Sequence, residues 1–186
     1  MATMKIYTRK GDDGTTGLYY GGRVRKDDPA PAAYGDVDEA QSAIGVARAV
    51  SRERDGVDGE LDRVLIALEK DLWVLMADLA TEVENRNKLV EGVSLVSHAM
   101  VETLERQIDE YSSRFSLPAE FVVPGQTVVS ALLDVARTVV RRAERTSLSA
   151  AVEGSLVINY LNRLSDFLWT LARWQENGQS LKSRDA

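Results

Sequence analysis

Hydrophobic residues along this chain recur mostly at helical spacing. The clearest case runs from Glu60 to about Asn85, where an apolar residue follows about every three or four positions. These apolar positions are Leu61, Val64, Leu65, Leu68, Leu72, Leu75, Met76 and Leu79. The regularity predicts a core helix without chemistry of its own, and Trp73 on it is interpreted as a packing residue.

Four further segments follow the same period. They lie at about 32–50, 94–111, 127–150 and 155–174, and connections containing charged residues, glycine or proline separate them. No strand period is convincing beyond an extended piece near 4–8. The pattern therefore predicts an all-α fold, a five-helix bundle that forms a single domain over 1–186. Within it we assign 1–31 to an N-terminal loop, 32–174 to the helical bundle and 175–186 to a flexible tail.

The first predicted helix has one side of small and polar residues, formed by Asp38, Gln41, Ser42 and Gly45. Small side chains let another helix or a subunit approach closely, and Asp38 would supply a charge at that contact. A weakly amphipathic surface helix gives the same pattern. The residues alone leave both interpretations open.

The fourth predicted helix carries the segment RTVVRRAER at 137–145. On a helix, Arg137, Arg141, Glu144 and Arg145 fall within an arc of roughly 80°, opposite the apolar positions, and Asp134 joins them. Neighbouring arginines repel one another unless an anion or carboxylates lie opposite, and the guanidinium group suits phosphate and carboxylate oxygens. The stripe predicts either an anion-binding surface or a solvated face with local ion pairs.

The last predicted helix also has a separate polar face. Its polar positions are Asn159, Asn162, Arg163, Asp166, Thr170 and Arg173. Amides and charges that are sorted onto one side of a helix are typical of a satisfied polar network or of a ligand site.

The N-terminal loop is rich in glycine, threonine and charge, with TRKGDDGTTG at 8–17. Glycine lets backbone N–H groups approach an anion, while threonine hydroxyls and nearby basic side chains add donors and charge. The loop is neither a Walker A loop nor a dinucleotide-binding fingerprint, because the required spacing is absent. It predicts a phosphate-binding loop or an ordinary surface turn.

The segment before the fourth helix breaks the helical pattern with Pro118, Pro124 and Gly125, and it carries Phe121. An aromatic side chain in such a loop either plugs the core or projects into a ligand pocket, and the residues alone favour the plug. His98 is the only histidine of the chain. A histidine-rich metal site is therefore excluded.

Composition narrows the class of protein. The chain has 186 residues, of which 44% are hydrophobic and 28% charged, as in an ordinary globular domain. A net charge of -6 disfavours binding to a nucleic-acid backbone. The chain has no cysteine, no signal-peptide pattern and no long apolar run. We therefore expect a cytoplasmic protein that does not enter a membrane.

Three segments together resemble the PduO-type ATP:cob(I)alamin adenosyltransferases. They are YTRKGDDGTTGL with the following RVRKDD and AYGDVDEAQS, then FVVPG with ARTVVRRAER, and then NYLNRLSDFLWTLAR. The segments lie in the family's order and cover residues 5–174. RRAER followed by LNRLSD is the most specific signal.

The resemblance implies a five-helix bundle that assembles as a homotrimer, with ATP, Mg²⁺ and base-off cobalamin bound between neighbouring subunits. It also implies the reaction, in which the cobalt of cob(I)alamin attacks C5′ of ATP and gives adenosylcobalamin and triphosphate. A reductase and a B12-dependent enzyme would be further partners. The ligands of Mg²⁺ are not implied.

Matched by position, the resemblance also implies roles for single residues. The nucleotide loop would comprise Thr8, Arg9, Gly11, Asp12, Gly14, Thr15 and Thr16, with Lys26 beside it. Arg141, Glu144 and Asn162 would complete the ATP site.

The resemblance places three more residues at the corrinoid. Asp38 and Arg137 would form a salt bridge across the subunit boundary. Phe121 would occupy the lower face of the corrin, where dimethylbenzimidazole otherwise binds. The expected catalytic set is therefore Arg141, Arg137, Asp38 and Phe121.

Two other classes of function fit the residues. A protein that binds adenosylcobalamin or a nucleotide and delivers it without catalysis would need the same loop and arginines. A helical assembly module without a ligand would need neither. Release of triphosphate separates the enzyme from the delivery protein, and ATP binding separates both from the assembly module.

Overall fold

Helices account for most of residues 6–183, the part of the chain that the computed structural model describes. The five α-helices are α1 (Pro29–Asp55), α2 (Glu60–Leu79), α3 (His98–Ser112), α4 (Val128–Ser147) and α5 (Val157–Gln175). A 3₁₀ helix, Val83–Lys88, follows α2, and two short strands, β1 (Thr15–Gly17) and β2 (Arg23–Arg25), lie in the N-terminal loop. The predicted all-α five-helix bundle is confirmed.

Helix α4 lies at the centre of the bundle and packs against both α1 and α5. Helix α2 packs on α1, and α3 packs on α5. The core between them is apolar, with Ile44, Leu72, Leu133, Leu161 and Phe167 fully buried. No helix within residues 6–183 is long and apolar enough to span a membrane.

The ends of several helices differ from the predicted boundaries. Helix α1 extends to Asp55, beyond the predicted end at 50, α3 begins at His98, after the predicted start at 94, and α4 ends at Ser147, before the predicted end at 150. Helix α1 begins at Pro29, and Pro31 is buried in its first turn. Proline fits there because the first N–H groups of a helix have no intrahelical partner. Helix α2 ends at Leu79, where a 3₁₀ turn replaces the helix predicted to reach Asn85.

Helix α4 begins with a reciprocal cap. The Thr127 hydroxyl accepts from the Ser130 N–H at 3.0 Å, and the Ser130 hydroxyl accepts from the Thr127 N–H at 3.1 Å. The cap satisfies two backbone donors at the helix entrance. It fixes the start of the arginine helix directly after the loop that carries Phe121.

The small antiparallel sheet was not predicted. Its register pairs Thr15 with Arg25, Thr16 with Val24 and Gly17 with Arg23. Strands of three residues are too short to show a period of two. The extended piece predicted at 4–8 lies partly outside the described residues, and its described part, 6–8, forms no strand.

Two side chains lie elsewhere than their patterns predict. Trp73 is 65% exposed, and its Nε1 donates to Gln41 Oε1 at 3.0 Å, so its interpretation as a packing residue is wrong within one chain. Arg173, assigned to the polar face of the last helix, is buried. Helix α5 is enclosed because α4 packs on one side of it and α3 on another.

Residues 176–183, assigned to the tail, make defined contacts with the rest of the chain. Glu176 is buried, and Lys182 forms an isolated antiparallel bridge with Val122. Composition alone predicts a frayed end for such polar residues. Composition cannot show that the buried Arg173 and the backbone of the loop carrying Phe121 lie close enough to bind residues 176–183.

Candidate active site

The N-terminal loop is folded around Arg23. Its Nη2 donates to the carbonyl oxygen of Lys10 at 2.6 Å, and its Nε donates to the Thr15 hydroxyl at 3.1 Å. The Asp13 carboxylate accepts from the backbone N–H and the hydroxyl of Thr15, at 3.0 and 2.8 Å, and these bonds lower the pKa of Asp13. Arg23 and Asp13 thus shape the loop, and the Thr15 hydroxyl already has its acceptor.

Lys26 lies directly over Gly11. A Cβ atom at Gly11 would lie 3.2 Å from the Lys26 Nζ and 3.1 Å from the Thr15 carbonyl oxygen, so a larger residue would push the lysine and the loop backbone apart. Gly14, which has a φ of 83°, needs the left-handed backbone that glycine adopts most readily. The Lys26 ammonium makes no ion pair with residues 6–183. Its charge is therefore available to an anion.

The remaining predicted loop residues lie on the same exposed segment. The Thr8 hydroxyl accepts from the Lys10 N–H at 3.4 Å, and the Arg9 guanidinium lies 5.4 Å from the centre of the Tyr7 ring. Asp12 is exposed, whereas Thr16 is half-buried in β1. The predicted nucleotide-loop residues are thus exposed or half-buried, and none of them lies in the core.

This loop is docked on the end of α2. The Tyr19 N–H donates to the Ala80 carbonyl oxygen at 2.9 Å, and the Tyr20 hydroxyl donates to the Lys88 carbonyl oxygen at 3.0 Å. Gly22, whose φ is 91°, lies so close to Glu82 that a Cβ would meet the carboxylate at 2.8 Å. The backbone of the loop is therefore attached to the bundle at several points.

The second predicted part of the ATP site lies on α4 and α5. Glu144 Oε1 accepts from Asn162 Nδ2 at 3.0 Å, so these two predicted residues are brought together. Arg141 is exposed one turn before Glu144 and makes no ion pair within 6–183. No side-chain hydrogen bond among the described residues joins these three to the N-terminal loop.

Asp38 and Arg137 do not meet within one chain. Arg137 Nε lies 3.1 Å from Asp134 Oδ1 on its own helix. On α1, Asp36 faces α4, because it accepts from the Thr146 hydroxyl at 2.6 Å and lies 3.6 Å from Arg142. Asp38 lies two residues further, about 200° around the helix, and is exposed on the side turned away from α4.

Phe121 is 89% exposed, so the interpretation of its ring as a core plug is wrong. It lies at a cavity of about 630 Å³ between the 118–124 segment, α4 and α5. The cavity is lined by Pro118, Ala119, Glu120, Phe121, Val122, Pro124, Asp134, Arg137, Trp169, Arg173 and Ser183. Two of the four predicted catalytic residues, Phe121 and Arg137, therefore line the same cavity.

A buried ionic network lies at this cavity. Arg173 Nη2 donates to Asp134 Oδ2 at 2.6 Å and to Glu176 Oε1 at 2.9 Å. Asp134 thereby binds Arg173 and Arg137 at once. Asp134 joins the predicted arginine stripe on a helical wheel, whereas nothing in the sequence indicates that Glu176 belongs here.

The described residues contain no cluster of three or more histidine, cysteine or acidic side chains that could hold a metal ion. Mg²⁺ bound with ATP commonly takes most of its ligands from phosphates and water.

Comparison with known proteins shows the same likeness over nearly the whole chain. Residues 6–175 match the sequence profile of the family described as cobalamin adenosyltransferase. The corrinoid adenosyltransferase of Mycobacterium leprae is 40% identical over 183 residues, which cover 95% of this chain and 94% of the relative. That of Bacillus subtilis is 37% identical and covers 91% of this chain and 86% of the relative.

Solved structures agree with the sequence comparison. A phenylalanine-to-alanine variant of the PduO-type ATP:corrinoid adenosyltransferase from Lactobacillus reuteri, complexed with cobalamin and ATP, superposes with a TM-score of 0.82. It is 29% identical, and the match covers 97% of this chain and 99% of that chain. An arginine-to-lysine variant complexed with ATP gives a TM-score of 0.81 at 29% identity, over 96% of this chain and 100% of that chain. The bundle, the glycine-rich loop and the profile match together show that this chain belongs to the cobalamin adenosyltransferase family.

Proposed function

We propose that this protein transfers the 5′-deoxyadenosyl group of ATP to cob(I)alamin. The bond between cobalt and C5′ forms while the bond between C5′ and the phosphate oxygen breaks, and its electron pair leaves with triphosphate. Relatives along nearly the whole chain are corrinoid adenosyltransferases, and one of the similar structures is complexed with cobalamin and ATP. The observation that carries the proposal is Phe121, an exposed apolar ring at a cavity that also contains charged residues.

Arg141 and Lys26 are suited to the triphosphate. Both carry a positive charge, and neither makes an ion pair within 6–183. The leaving group gains negative charge as its bond to C5′ breaks, so a fixed cation beside it stabilises the transition state more than the ground state. The nucleophile carries no proton, and the reaction therefore needs no general base.

Glu144 and Asn162 act as a pair on the nucleotide side. Their hydrogen bond of 3.0 Å fixes both side chains, and it leaves one carboxylate oxygen and one amide oxygen free to accept. Such acceptors suit the hydroxyl groups or the amino group of a nucleoside. The pair is expected to orient ATP for an in-line attack at C5′.

Phe121 is suited to the corrinoid. An apolar ring in the position of a nitrogen ligand leaves Co(II) four-coordinate, which eases its reduction to Co(I). Arg137, held by Asp134, lies in the same cavity. Around this ring the chain supplies shape and exclusion of water, while the corrinoid supplies the nucleophile.

The complete site is proposed to lie between subunits of a homotrimer. Within one chain the loop around Lys26 makes no side-chain hydrogen bond to Arg141, Glu144 or Asn162, and Asp38 faces away from α4. A neighbouring subunit that brings its Arg137 to Asp38 would join the two halves. The enzyme would act in the cytoplasm, with a reductase supplying Co(I) and a B12-dependent enzyme accepting the product.

The deciding experiment is an anaerobic turnover assay. Purified protein is given reduced cobalamin, ATP and Mg²⁺, and both the light-sensitive cobalt–carbon product and triphosphate are measured. We expect equal amounts of the two. Binding of corrinoid and ATP without triphosphate release would refute catalysis and leave a delivery protein.

A further inference from the structure

The chain reverses direction immediately after α5. Asn177 and Gly178 have φ angles of 51° and 76°, in the left-handed region that asparagine and glycine tolerate best. The Gln179 N–H donates to the Glu176 carbonyl oxygen at 2.9 Å and closes the turn. Residues 179–183, here called the C-terminal strap, then run back across the loop that carries Phe121.

The strap is bonded to this loop through the backbone. The Val123 N–H donates to the Leu181 carbonyl oxygen at 2.9 Å, and the Ser183 N–H donates to the Phe121 carbonyl oxygen at 2.8 Å. These two bonds enclose the antiparallel bridge between Val122 and Lys182. The strap therefore holds the residues on both sides of the Phe121 side chain.

The start of the strap is anchored in the buried network. Glu176 Oε1 accepts from Arg173 Nη2 at 2.9 Å, and Glu176 Oε2 accepts from the Ser180 hydroxyl at 2.5 Å. Arg173 in turn binds Asp134, which holds Arg137. One connected set of contacts thus runs from Arg137 to the backbone of Phe121.

The exposure of Phe121 explains why such support matters. Its ring is 89% exposed, so packing against the core does little to fix its position. Pro118, Pro124 and Gly125 flank it in a segment without regular secondary structure. Backbone hydrogen bonds to the strap hold the main chain at Phe121 and Val123.

We infer that the C-terminal strap is a positioning element for the corrinoid side of the reaction. The strap binds the backbone of Phe121, and Glu176 at its start binds Arg173, which is connected to Arg137 through Asp134. These contacts together fix the position of Phe121 relative to Arg137. This inference rests on the proposed function. It adds a segment after α5 to the set of residues on which cobalt coordination depends, with Ser183 as the positioning residue in direct contact with the Phe121 backbone.

The test is the variant Ser183→Pro in the full chain. Proline removes the N–H that donates to Phe121. Ser183 is exposed at the edge of the cavity, so the change leaves the apolar core of the bundle untouched. We expect the Michaelis constant for the corrinoid to rise on the order of five- to tenfold, the loss typical of one hydrogen bond. The yield of four-coordinate Co(II) should fall in electron paramagnetic resonance spectra. The Michaelis constant for ATP should not change.

Two further variants accompany it. Ser180→Ala, which removes the bond to Glu176, should act in the same direction and more weakly. Lys182→Ala is the matched control, because its side chain is exposed and lies outside the cavity lining. It should behave as the unaltered protein.

Two results would overturn the inference. One is an unchanged corrinoid constant and an unchanged Co(II) spectrum in Ser183→Pro. The other is an equal loss for ATP and corrinoid together with a lower melting temperature, which would make the strap a stabilising element only. Absence of turnover in the unaltered protein, measured in parallel, would instead refute the proposed function.

Discussion

Arg173 Nη2 lies 2.6 Å from Asp134 Oδ2 and joins α5 to α4 at the Phe121 cavity. Both side chains are buried, and the same guanidinium also binds Glu176. Arg173 therefore joins two buried carboxylates, and one of them, Asp134, also pairs with Arg137. Buried carboxylates elsewhere in the bundle are paired in the same way, Asp62 with Arg48 and Asp78 with Arg86.

Replacing Arg173 by methionine should destabilise the protein strongly. The change leaves the buried Glu176 without a cation and Asp134 with Arg137 alone. Breaking a buried pair in this way costs roughly 3 kcal/mol or more. Urea denaturation measures the loss. Arg163→Met is the control on the same helix: its ion pairs with Glu105 and Asp166 are exposed, and it should cost less than about 1 kcal/mol. Equal losses in the two variants would contradict this account.

Arg141→Ala should abolish most of the activity and preserve the fold. Arg141 is exposed without an ion pair inside the described chain, so circular dichroism should remain unchanged. If it faces the leaving triphosphate, its removal costs roughly 3 kcal/mol of transition-state stabilisation, about a hundredfold in kcat. Arg145→Ala, one turn further along α4, is the matched control and should retain activity. Normal turnover in Arg141→Ala would remove this residue from the site.

Phe121→Ala should prevent formation of four-coordinate Co(II) without unfolding the protein. The ring is 89% exposed, so its removal leaves no cavity in the core. Absorbance and electron paramagnetic resonance of the complex with cob(II)alamin and ATP report the coordination number. Leu117→Ala, at an exposed apolar position outside the cavity lining, serves as control. The idea fails if the Phe121→Ala spectrum matches that of the unaltered protein.

Mixing two inactive variants tests whether the site lies between subunits. Lys26→Ala removes a cation from the loop, and Arg141→Ala removes a cation from α4. If these parts come from different subunits, an equal mixture contains sites in which both are intact, about one site in four for random assembly. Turnover should therefore reappear after the subunits are exchanged. A mixture as inactive as its components would place loop and arginine in the same chain.

Asp71 gives a dependence of stability on pH. Burial raises the pKa of its carboxyl above the ordinary 3.8, although the bond from the Tyr160 hydroxyl, at 2.8 Å, lowers it again in part. The folded state therefore binds this proton more tightly than the unfolded chain does. The contribution of Asp71 to stability is full below pH 3.8 and is lost as the pH rises through the folded pKa.

Asp71→Asn keeps an acceptor for Tyr160 and removes the charge. We expect its free energy of unfolding to exceed that of the unaltered protein at neutral pH, with the difference shrinking as the pH falls toward 3.8. Urea denaturation across this range measures it. Asp109→Asn is the control, since that carboxylate is exposed in the folded protein as well. A difference that is constant with pH would count against a buried charge at Asp71.

The positions of the helices followed from local information. Leu61, Leu65, Leu68, Leu72 and Leu75 repeat at the helical period, and all five are buried. The ends of the helices were predicted less well, because single residues decide where a helix starts and stops. Helix α2 ends at Leu79, before the predicted end near 85, and α1 begins at Pro29, before the predicted start at 32. The hairpin around Arg23 escaped detection, since three residues show no period.

For the candidate site, too, the sequence names residues, whereas the structure shows which of them are in contact. Resemblance of motifs names the glycine loop, Arg141, Glu144 and Asn162 as the ATP site, and these assignments stay predictions. Only the tertiary structure shows that Glu144 contacts Asn162, that Lys26 lies on Gly11, and that Phe121 is exposed at a cavity. Contacts between residues far apart in sequence carry no local signal, because they depend on how whole helices pack.

The sequence by itself determined an all-α bundle and its family, because helical periodicity and short motifs are written in neighbouring residues. Only the tertiary structure decided which charged side chains are buried and which residues they pair with. Arg173, which a helical wheel assigns to an outer polar face, is enclosed by neighbouring helices and must therefore be paired. Arg173 donates hydrogen bonds to both Asp134 and Glu176. Because Glu176 begins the segment after α5, these bonds also hold that segment near Phe121.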